Sequence, residues 1–277
     1  MSDVFVIATA QQALDPGIEP ALAARRSGEA AAAALLQRAG LQARHVQEAH
    51  WLAGPHLDAP AWPSGAPVLR WPPGELLDHF VLHAVARTLR LGERELVLVG
   101  QLSQPENPDG PSTGACTALL LGAPAALGRH NLTARARLAL FLSASGPPEP
   151  SLDTTANLLN ARAEAAQAAY RQNAEALARA LVSGSADLAG LAAEGEIDLL
   201  PAPGEIHWLA ANVPFAEAAV QARFPQAQII RAAPTLPGGA LFLLADLLQN
   251  LAGSRRQWGL LLSAAPHAGL ATLVERV

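Results

Sequence analysis

The chain has 277 residues, of which 51% are hydrophobic, and this length can bury a large core in one or two compact domains. Its formal net charge is -5 and it carries no basic stripe, so its composition excludes a typical nucleic-acid partner. A single cysteine, Cys116, excludes an internal disulfide framework and a zinc site built from several cysteines.

The N-terminus, "MSDVFVIATA", has an apolar run that is too short for the hydrophobic part of a signal peptide, and no basic residues precede it. No stretch of about 18 apolar residues without charge occurs further along the chain. We therefore expect a soluble, cytoplasmic protein that does not interact with a membrane.

Short apolar runs alternate with longer helical patterns in the first part of the chain. The predicted order is a strand at 3–10, a helix at 28–40 closed by Gly40, a loop rich in Pro, Trp and His at 51–67, a strand at 67–71, a helix from about 73 to 91 and a strand at 95–100. This βαβαβ order is typical of a layered sheet with helices on its faces. Residues 105–114 then predict a turn-rich connection, because Pro, Asn, Asp and Gly break regular structure.

The same order of elements begins again after this connection. The pattern predicts strands at 115–122, 135–144, 205–212, 258–265 and 269–277, and helices at 155–184, 214–224 and 238–253. Two halves with a similar order indicate an internal duplication. The sequence thus predicts an α/β fold made of duplicated βαβαβ halves, divided into residues 1–104 and 105–277.

Several segments, in order along nearly the whole chain, carry a resemblance to a known family. They are "DVFVIATAQQAL", "VLRWPPGELLDHFVLHAVARTLRLGERELVLVG", "DGPSTGACTALLLGAPAALGRHNL", "IHWLAANVPFAEAAV", "RAAPTLPGGALFLLADLL" and "WGLLLSAAPHAGLATLVERV". They resemble the thiolases, within the thiolase and ketoacyl-synthase superfamily, by pattern more than by identity. The resemblance implies a layered α-β-α-β-α packing, with the second half starting at the Gly-Ala pair of residues 114 and 115.

The resemblance implies a shortened chain. In thiolases a loop domain inserted in the first half supplies much of the coenzyme A site, whereas "ELVLVGQLSQPENPDGPSTGA" runs straight from one half into the next. We therefore expect the loop domain to be missing. The expected cofactor is none, with coenzyme A left open as a weakened ligand.

The catalytic residues implied by the resemblance are largely replaced. Pro72 stands where a thiolase has its nucleophilic cysteine, and Ala233 stands before Pro234 where the family has an activating histidine. Ser263 takes the position of the second cysteine, the acid and base. Of the Asn-Glu-Ala-Phe block that orients a water, only Asn212 and Phe215 remain. No residue is therefore predicted to be catalytic.

Pro72 and the proline after it have a structural explanation. Proline suits the first turn of a helix, where its missing N–H would have had no partner and its φ is already helical. "PPGELL" is therefore expected to keep the junction between strand and helix while removing its reactive group.

Other reactive side chains are interpreted as structural. Cys116 falls inside an apolar strand and is predicted to be buried. His45 and His50 are poorly spaced for one helical face, and no metal site is predicted. His79 and His83 are spaced i and i+4 without an HExxH pattern, which favours a solvated or interface histidine pair.

Three functions stay open at this stage. The first is a non-catalytic thiolase-fold scaffold or partner subunit. The second is an acyltransferase with a rebuilt site that uses Ser263, His267, Glu75 or Asn212. The third is a module that binds an acyl or pantetheine group without turnover. The first is favoured, because nucleophile, activator and loop domain are lost together.

The resemblance also implies a partner. Thiolase dimers pair the short strand before the nucleophile across a two-fold axis, and here that strand is "PVLRW". We expect a homodimer with Val68, Leu69 and Arg70 at the two-fold, or a heterodimer with an active thiolase-like subunit.

Overall fold

The chain folds as an α/β protein in which one mixed sheet carries helices on its faces. The computed structural model describes residues 3–15, 17–54, 56–62, 65–72, 76–103, 114–145, 168–169, 171–178, 191–195, 201–213, 216–231, 239–252, 258–265 and 268–277.

Eleven strands and six helices are described. The strands are β1 (Val4–Ala13), β2 (Glu48–Leu52), β3 (Val68–Trp71), β4 (Leu96–Ser103), β5 (Ala115–Gly122), β6 (Ala136–Ser145), β7 (Leu191–Gly195), β8 (Ile206–Asn212), β9 (Gln228–Ile230), β10 (Trp258–Ala265) and β11 (Ala268–Arg276). The α-helices are α1 (Pro20–Ala39), α2 (Leu77–Arg90), α3 (Pro124–His130), α4 (171–178), α5 (Glu217–Arg223) and α6 (Ala240–Ala252), and short 3-10 turns occupy Ala43–His45 and Pro203–Glu205.

The strand order repeats within the sheet. It runs β3-β2-β4-β5-β1 and then, in mirrored sequence, β6-β11-β10-β8-β9, with β7 paired to β6. In each repeat the three outer strands are parallel and the two inner strands are antiparallel to their neighbours. A short antiparallel pairing of β1 with β6 joins the repeats. The predicted duplication is confirmed.

Three hydrophobic clusters separate the layers. The central cluster contains the inward-facing residues of both repeats together with α2 and α6. A second cluster packs α1 on the outer face of β1, β2, β4 and β5, and a third packs α4 and α5 on the outer face of the other repeat. Alternate residues of each strand enter different clusters, since side chains of a strand point to opposite faces. The predicted α-β-α-β-α layering is therefore confirmed.

Helix α1 shows how local sequence sets an element's limits. The Glu19 carboxylate accepts hydrogen bonds from the backbone N–H groups of Ala21 and Leu22, at 3.1 and 3.0 Å, and Pro20 occupies the first turn. Gly40 ends the helix with a φ of 65°, which glycine adopts without strain. The predicted stop at Gly40 is confirmed, and the helix begins earlier than residue 28.

Several predicted elements need correction. Strand β2 extends to Leu52, inside the predicted loop, and α2 begins at Leu77 and not near residue 73. Strand β5, expected to open the second half, pairs with β4 and β1 and thus lies in the first repeat. Strand pairing does not by itself define domains, so the division after residue 104 stays a prediction.

Four observed elements were not predicted, and one predicted helix is only partly described. The sequence did not predict β7, β9, α3 or β2 as a separate strand. Of the predicted helix at 155–184, residues 171–178 are helical and most of the remainder lies outside the described residues. Within the part of the chain that is described, no helix is long and apolar enough to cross a membrane.

A pair of glycines tests the packing. A Cβ at Gly100 on β4 would overlap the indole of Trp51, whereas a Cβ at Gly128 in α3 would meet nothing. We expect Gly100→Ala to lower the free energy of unfolding by about 1–3 kcal/mol through overpacking. Gly128→Ala should raise it by roughly 0.5–1 kcal/mol through helix propensity. Urea unfolding measures both, and a Gly100→Ala variant as stable as the wild type would contradict this packing.

Candidate functional site

Pro72 lies on the surface at the edge of the sheet. It follows β3 directly and is exposed, while residues 73–75 lie outside the described residues. Leu76, which precedes α2, has a non-helical ψ of 1°. Because α2 begins at Leu77, Pro72 is not in its first turn, and the expected placement of this proline at the start of the helix is wrong.

Asn212 and Ser263 are brought together by the sheet. Asn212 ends β8, Ser263 lies on β10, and the two are register neighbours in a parallel pairing. Ser263 is 1% exposed, and its Oγ has no hydrogen-bond partner within the described residues. Asn212 is half-buried. The positions predicted for the second cysteine and the water-orienting asparagine are thus adjacent.

The start of α2 reaches the same end of the sheet. Leu76 packs against Ala265, Ala268 and Leu270 of the β10–β11 hairpin. The Asn173 side chain on α4 donates a 2.9 Å hydrogen bond to the Ala265 carbonyl. The contacts of Leu76 place the start of α2 beside the hairpin whose first strand carries Ser263.

Four other residues that the sequence singled out are not placed. Ala233, Phe215, Glu75 and His267 all lie outside the described residues. Their predicted roles, including the alternative catalytic roles of Glu75 and His267, stay predictions.

Asp78 carries the most buried carboxyl group among the described residues and is 3% exposed. One carboxylate oxygen accepts the backbone N–H of His79 at 2.8 Å, and the other accepts the N–H of Ala240. The backbone N–H groups of Leu241 and of Asp78 itself also favour the ionised form of this carboxyl group. A single side chain in the first turn of α2 therefore binds the first turn of α6.

Burial raises the pKa of Asp78 to about 6, because a buried charge loses its hydration. The backbone N–H groups act in the opposite direction, since they stabilise the ionised carboxylate. Asp78 is thus mostly ionised near neutral pH and becomes protonated under mildly acidic conditions.

His79 and His83 meet at one hydroxyl. Their Nε2 atoms lie 2.9 and 3.1 Å from Oγ1 of Thr272 on β11, and Thr272 is fully buried. A hydroxyl has one proton to donate, so at most one of the two imidazoles accepts from Thr272 and at least one donates to it. Of the predicted solvated or interface pair, the solvated alternative is wrong for His79, which is 0% exposed.

Both imidazoles are neutral. Burial lowers the pKa of His79 well below its ordinary value and that of His83 to about 3, where the nearby Arg90 guanidinium acts in the same direction. The ring of His83 also lies edge-on to Phe141, with centroids 4.7 Å apart. The pair therefore binds α2 to β11 as uncharged hydrogen-bonding groups.

The remaining reactive groups have structural surroundings. Cys116 is fully buried, as predicted, and burial raises the pKa of its thiol to about 12. His50 accepts a 3.1 Å hydrogen bond at Nδ1 from the Trp71 indole. In the described ranges, no three His, Cys, Asp or Glu side chains are grouped as metal ligands would be.

The duplicated strand order and the five layers are those of the thiolase fold. Human mitochondrial 3-ketoacyl-CoA thiolase is similar at a TM-score of 0.67 and 11% identity, over 100% of this chain and 99% of that chain. Its complex with CoA matches at a TM-score of 0.67 and 12% identity, over 100% and 98%. No protein-family model and no curated protein matches.

The predicted thiolase resemblance is therefore confirmed for the fold, and identities this low extend to the fold alone. The sequence did not reveal the roles of Asp78 and Thr272. The i and i+4 spacing of His79 and His83 was visible, yet nothing in it showed that β11 covers both rings.

The raised pKa of Asp78 predicts how stability changes with pH. Its folded pKa of about 6 exceeds the ordinary aspartate value of 3.8, so folding favours the protonated form. This contribution to stability is complete below about pH 4 and is lost as the pH rises through 6. From pH 4 to 7, the unfolding free energy of the wild type should fall by roughly 2 kcal/mol relative to Asp78→Asn. If plots of unfolding free energy against pH ran parallel for the two proteins, Asp78 would have an ordinary pKa in the folded state.

Proposed function

We propose that this protein is a thiolase-fold pseudoenzyme, a non-catalytic scaffold, partner subunit or acyl or pantetheine binder that has lost thiolase catalysis. The observation that carries the proposal is Pro72, which is exposed directly after β3 and which the sequence resemblance aligns with the nucleophile. A proline side chain has no atom that can form an acyl-enzyme, so the covalent step of the parent reaction has no starting point there.

The surrounding groups support the same conclusion. The Ser263 hydroxyl is buried, and no basic side chain within the described residues is bonded to it. The two central imidazoles are neutral and are both bound to Thr272. A serine without a base is a weak nucleophile, and a histidine of low pKa accepts a proton poorly at neutral pH.

The connection between β4 and β5 bears on coenzyme A. Strand β4 ends at Ser103 and β5 begins at Ala115, so only residues 104–114 join them. A domain typically needs at least about 50 residues. We therefore propose that no loop domain is inserted here and that coenzyme A is at most a weakly held ligand, not a resident cofactor.

One observation favours the alternative function, an acyltransferase with a rebuilt site. Ser263 and Asn212 are neighbours on adjacent strands, as a nucleophile and an oxyanion donor would need to be. Glu75 or His267 would then have to supply the base. We rank this alternative second because the Ser263 hydroxyl is almost completely buried.

Mass spectrometry of the intact protein after incubation with acetyl-CoA or acetoacetyl-CoA tests the proposal. We expect no covalent acyl adduct and no thiolysis or condensation product, because Pro72 offers no nucleophile. Pro72→Cys in a Cys116→Ala background is the matched variant. Its exposed thiol should react with iodoacetamide in the folded state while still showing no thiolase turnover. An acyl adduct on Ser263 of the wild type would overturn the proposal and favour the acyltransferase.

We also propose that the partner is a second copy of the chain, bound through β3 in the cytoplasm. Strand β3 is the outermost strand on one side of the sheet, and Leu69 is 38% exposed. The Arg70 guanidinium donates to the Gly54 and Leu57 carbonyls and so braces the segment after β2. A short apolar edge strand, held in place by hydrogen bonds to the segment after β2, favours pairing with the same strand of a second copy about a two-fold axis. A heterodimer with an active thiolase-like subunit is the variant of this proposal.

Analytical ultracentrifugation tests this assembly. We expect twice the chain mass of 28.7 kDa in the micromolar range. Leu69→Lys places like charges at the two-fold and should weaken dimerisation by about tenfold or more. Leu91→Lys, at an exposed leucine that follows α2, should leave dimerisation unchanged. A wild-type monomer at all concentrations would exclude the homodimer.

A further inference from the structure

A row of polar side chains crosses the first repeat of the sheet on the face that α6 covers. Gln101 on β4 is the register partner of Thr117 on β5, and Thr117 is in turn the partner of Gln11 on β1. Opposed residues of neighbouring strands share a face, as do residues two apart on one strand, so Ser103 belongs to the same group. Leu119, two residues after Thr117, lies in the central cluster with α6, and the row therefore faces this helix.

Three atoms of this group are buried and have no hydrogen-bond partner in the part of the chain that the structure describes. They are Oε1 of Gln101, Oγ of Ser103 and Oγ1 of Thr117. Thr117 is 0% exposed and Ser103 is 5% exposed. A buried polar atom without a hydrogen bond costs free energy, so three such atoms on two neighbouring strands indicate a bound group that all of them contact.

The other end of the row shows how α6 satisfies a polar side chain. The Gln11 amide donates to Asp246 at 3.1 Å and accepts from Gln249 at 3.1 Å, so two side chains of α6 serve it. At β4 the start of α6 brings only Gly239, where a Cβ would overlap the Gln101 amide. Residues 240–245 that follow are all apolar. The first turns of α6 therefore present no polar side chain to the Gln101 end of the row.

The three atoms match the bonding capacity of one water molecule. The amide oxygen of Gln101 only accepts hydrogen bonds, whereas the hydroxyls of Ser103 and Thr117 can donate. Ser103 and Thr117 stand diagonally across two strands, about 7–8 Å apart, which is too far for a direct bond but within reach of a bridging water. Buried waters typically make about three hydrogen bonds to groups that would otherwise be unsatisfied.

We propose that the sheet face under the first turns of α6 is a water-binding site, in which one buried water joins Gln101, Ser103 and Thr117. The water donates a proton to Oε1 of Gln101 and accepts the hydroxyl protons of Ser103 and Thr117. It supplies to this end of the row the hydrogen bonds that Asp246 and Gln249 supply to Gln11. The site goes beyond the proposed function and does not depend on whether thiolase catalysis is lost.

A high-resolution crystal structure of the wild type tests the site directly. We expect one ordered water within about 3.2 Å of Oε1 of Gln101 and of Oγ1 of Thr117. The Thr117→Val variant should lack this water, because a methyl group replaces the hydroxyl and forms no hydrogen bond. A wild-type structure without water at this place, or with a protein side chain bonded to these atoms, would overturn the proposal.

Thermal unfolding gives a second test through the sign of a Tm shift. Valine is also branched at Cβ and also favours strands, so Thr117→Val changes little besides the hydroxyl. A hydroxyl that binds water loses a hydrogen bond in this variant, and Tm should fall by about 2–4 °C. A hydroxyl without any partner would give a higher Tm on replacement, because the cost of burying it disappears. An unchanged or raised Tm therefore contradicts the site.

Two further variants serve as controls. Thr272→Val removes a hydroxyl that is bonded directly to two histidines, and its lower Tm shows the size of the effect for a satisfied hydroxyl. Thr117→Ser keeps the hydroxyl and should retain the water in its crystal structure. If Thr117→Val does not fold, the wild type and Thr117→Ser decide: water in both supports the proposal, and its absence from either overturns it.

Discussion

The requirement that the buried side chains of Asp78 and Thr272 find hydrogen-bond partners ties the central layer of this molecule together. Helices α2 and α6 lie between the two repeats of the sheet, where a buried polar group without a hydrogen bond costs free energy. Asp78 meets that requirement by binding the first turn of α6, and Thr272 meets it by binding both His79 and His83. Helix α2 is consequently tied to α6 at its start and to β11 along its length.

Those ties also determine what the side chains can do. Acid–base chemistry needs a group whose pKa lies near the working pH and which reaches the reacting atom. The imidazoles of His79 and His83 have lowered pKa values and are bonded to a buried hydroxyl. Outside this layer, in the cluster under α1, the Cys116 thiol has a raised pKa. Asp78 has a pKa in a useful range, yet backbone N–H groups surround its oxygens. The titratable groups of this layer hold α2 against β11 and α6 through hydrogen bonds.

Apolar periodicity predicted most strands and the layered α/β fold, because a buried strand needs only a run of apolar residues. Strand β2 was missed where His50 and Trp51 made the segment look irregular, although the sheet buries both. The place of β5 in the first repeat could not be predicted from the sequence, since the order of strands in a sheet depends on long-range pairing. Asp78 and His79 look like a polar helix face until α6 and β11 cover them.

The two repeats show why the fold and its site residues are separate properties. Gln101 on β4 pairs with the last residue of β2, and Ser263 on β10 pairs with the last residue of β8, so the two hold matching positions. The side chain of Gln101 packs against Gly239, where any Cβ would overlap it, whereas Ser263 is a small residue beside Asn212. Because the pairing pattern depends on backbone and apolar surface, it persists while the residues at the strand ends diverge. An identity of 11% to a thiolase is compatible with the fold for the same reason.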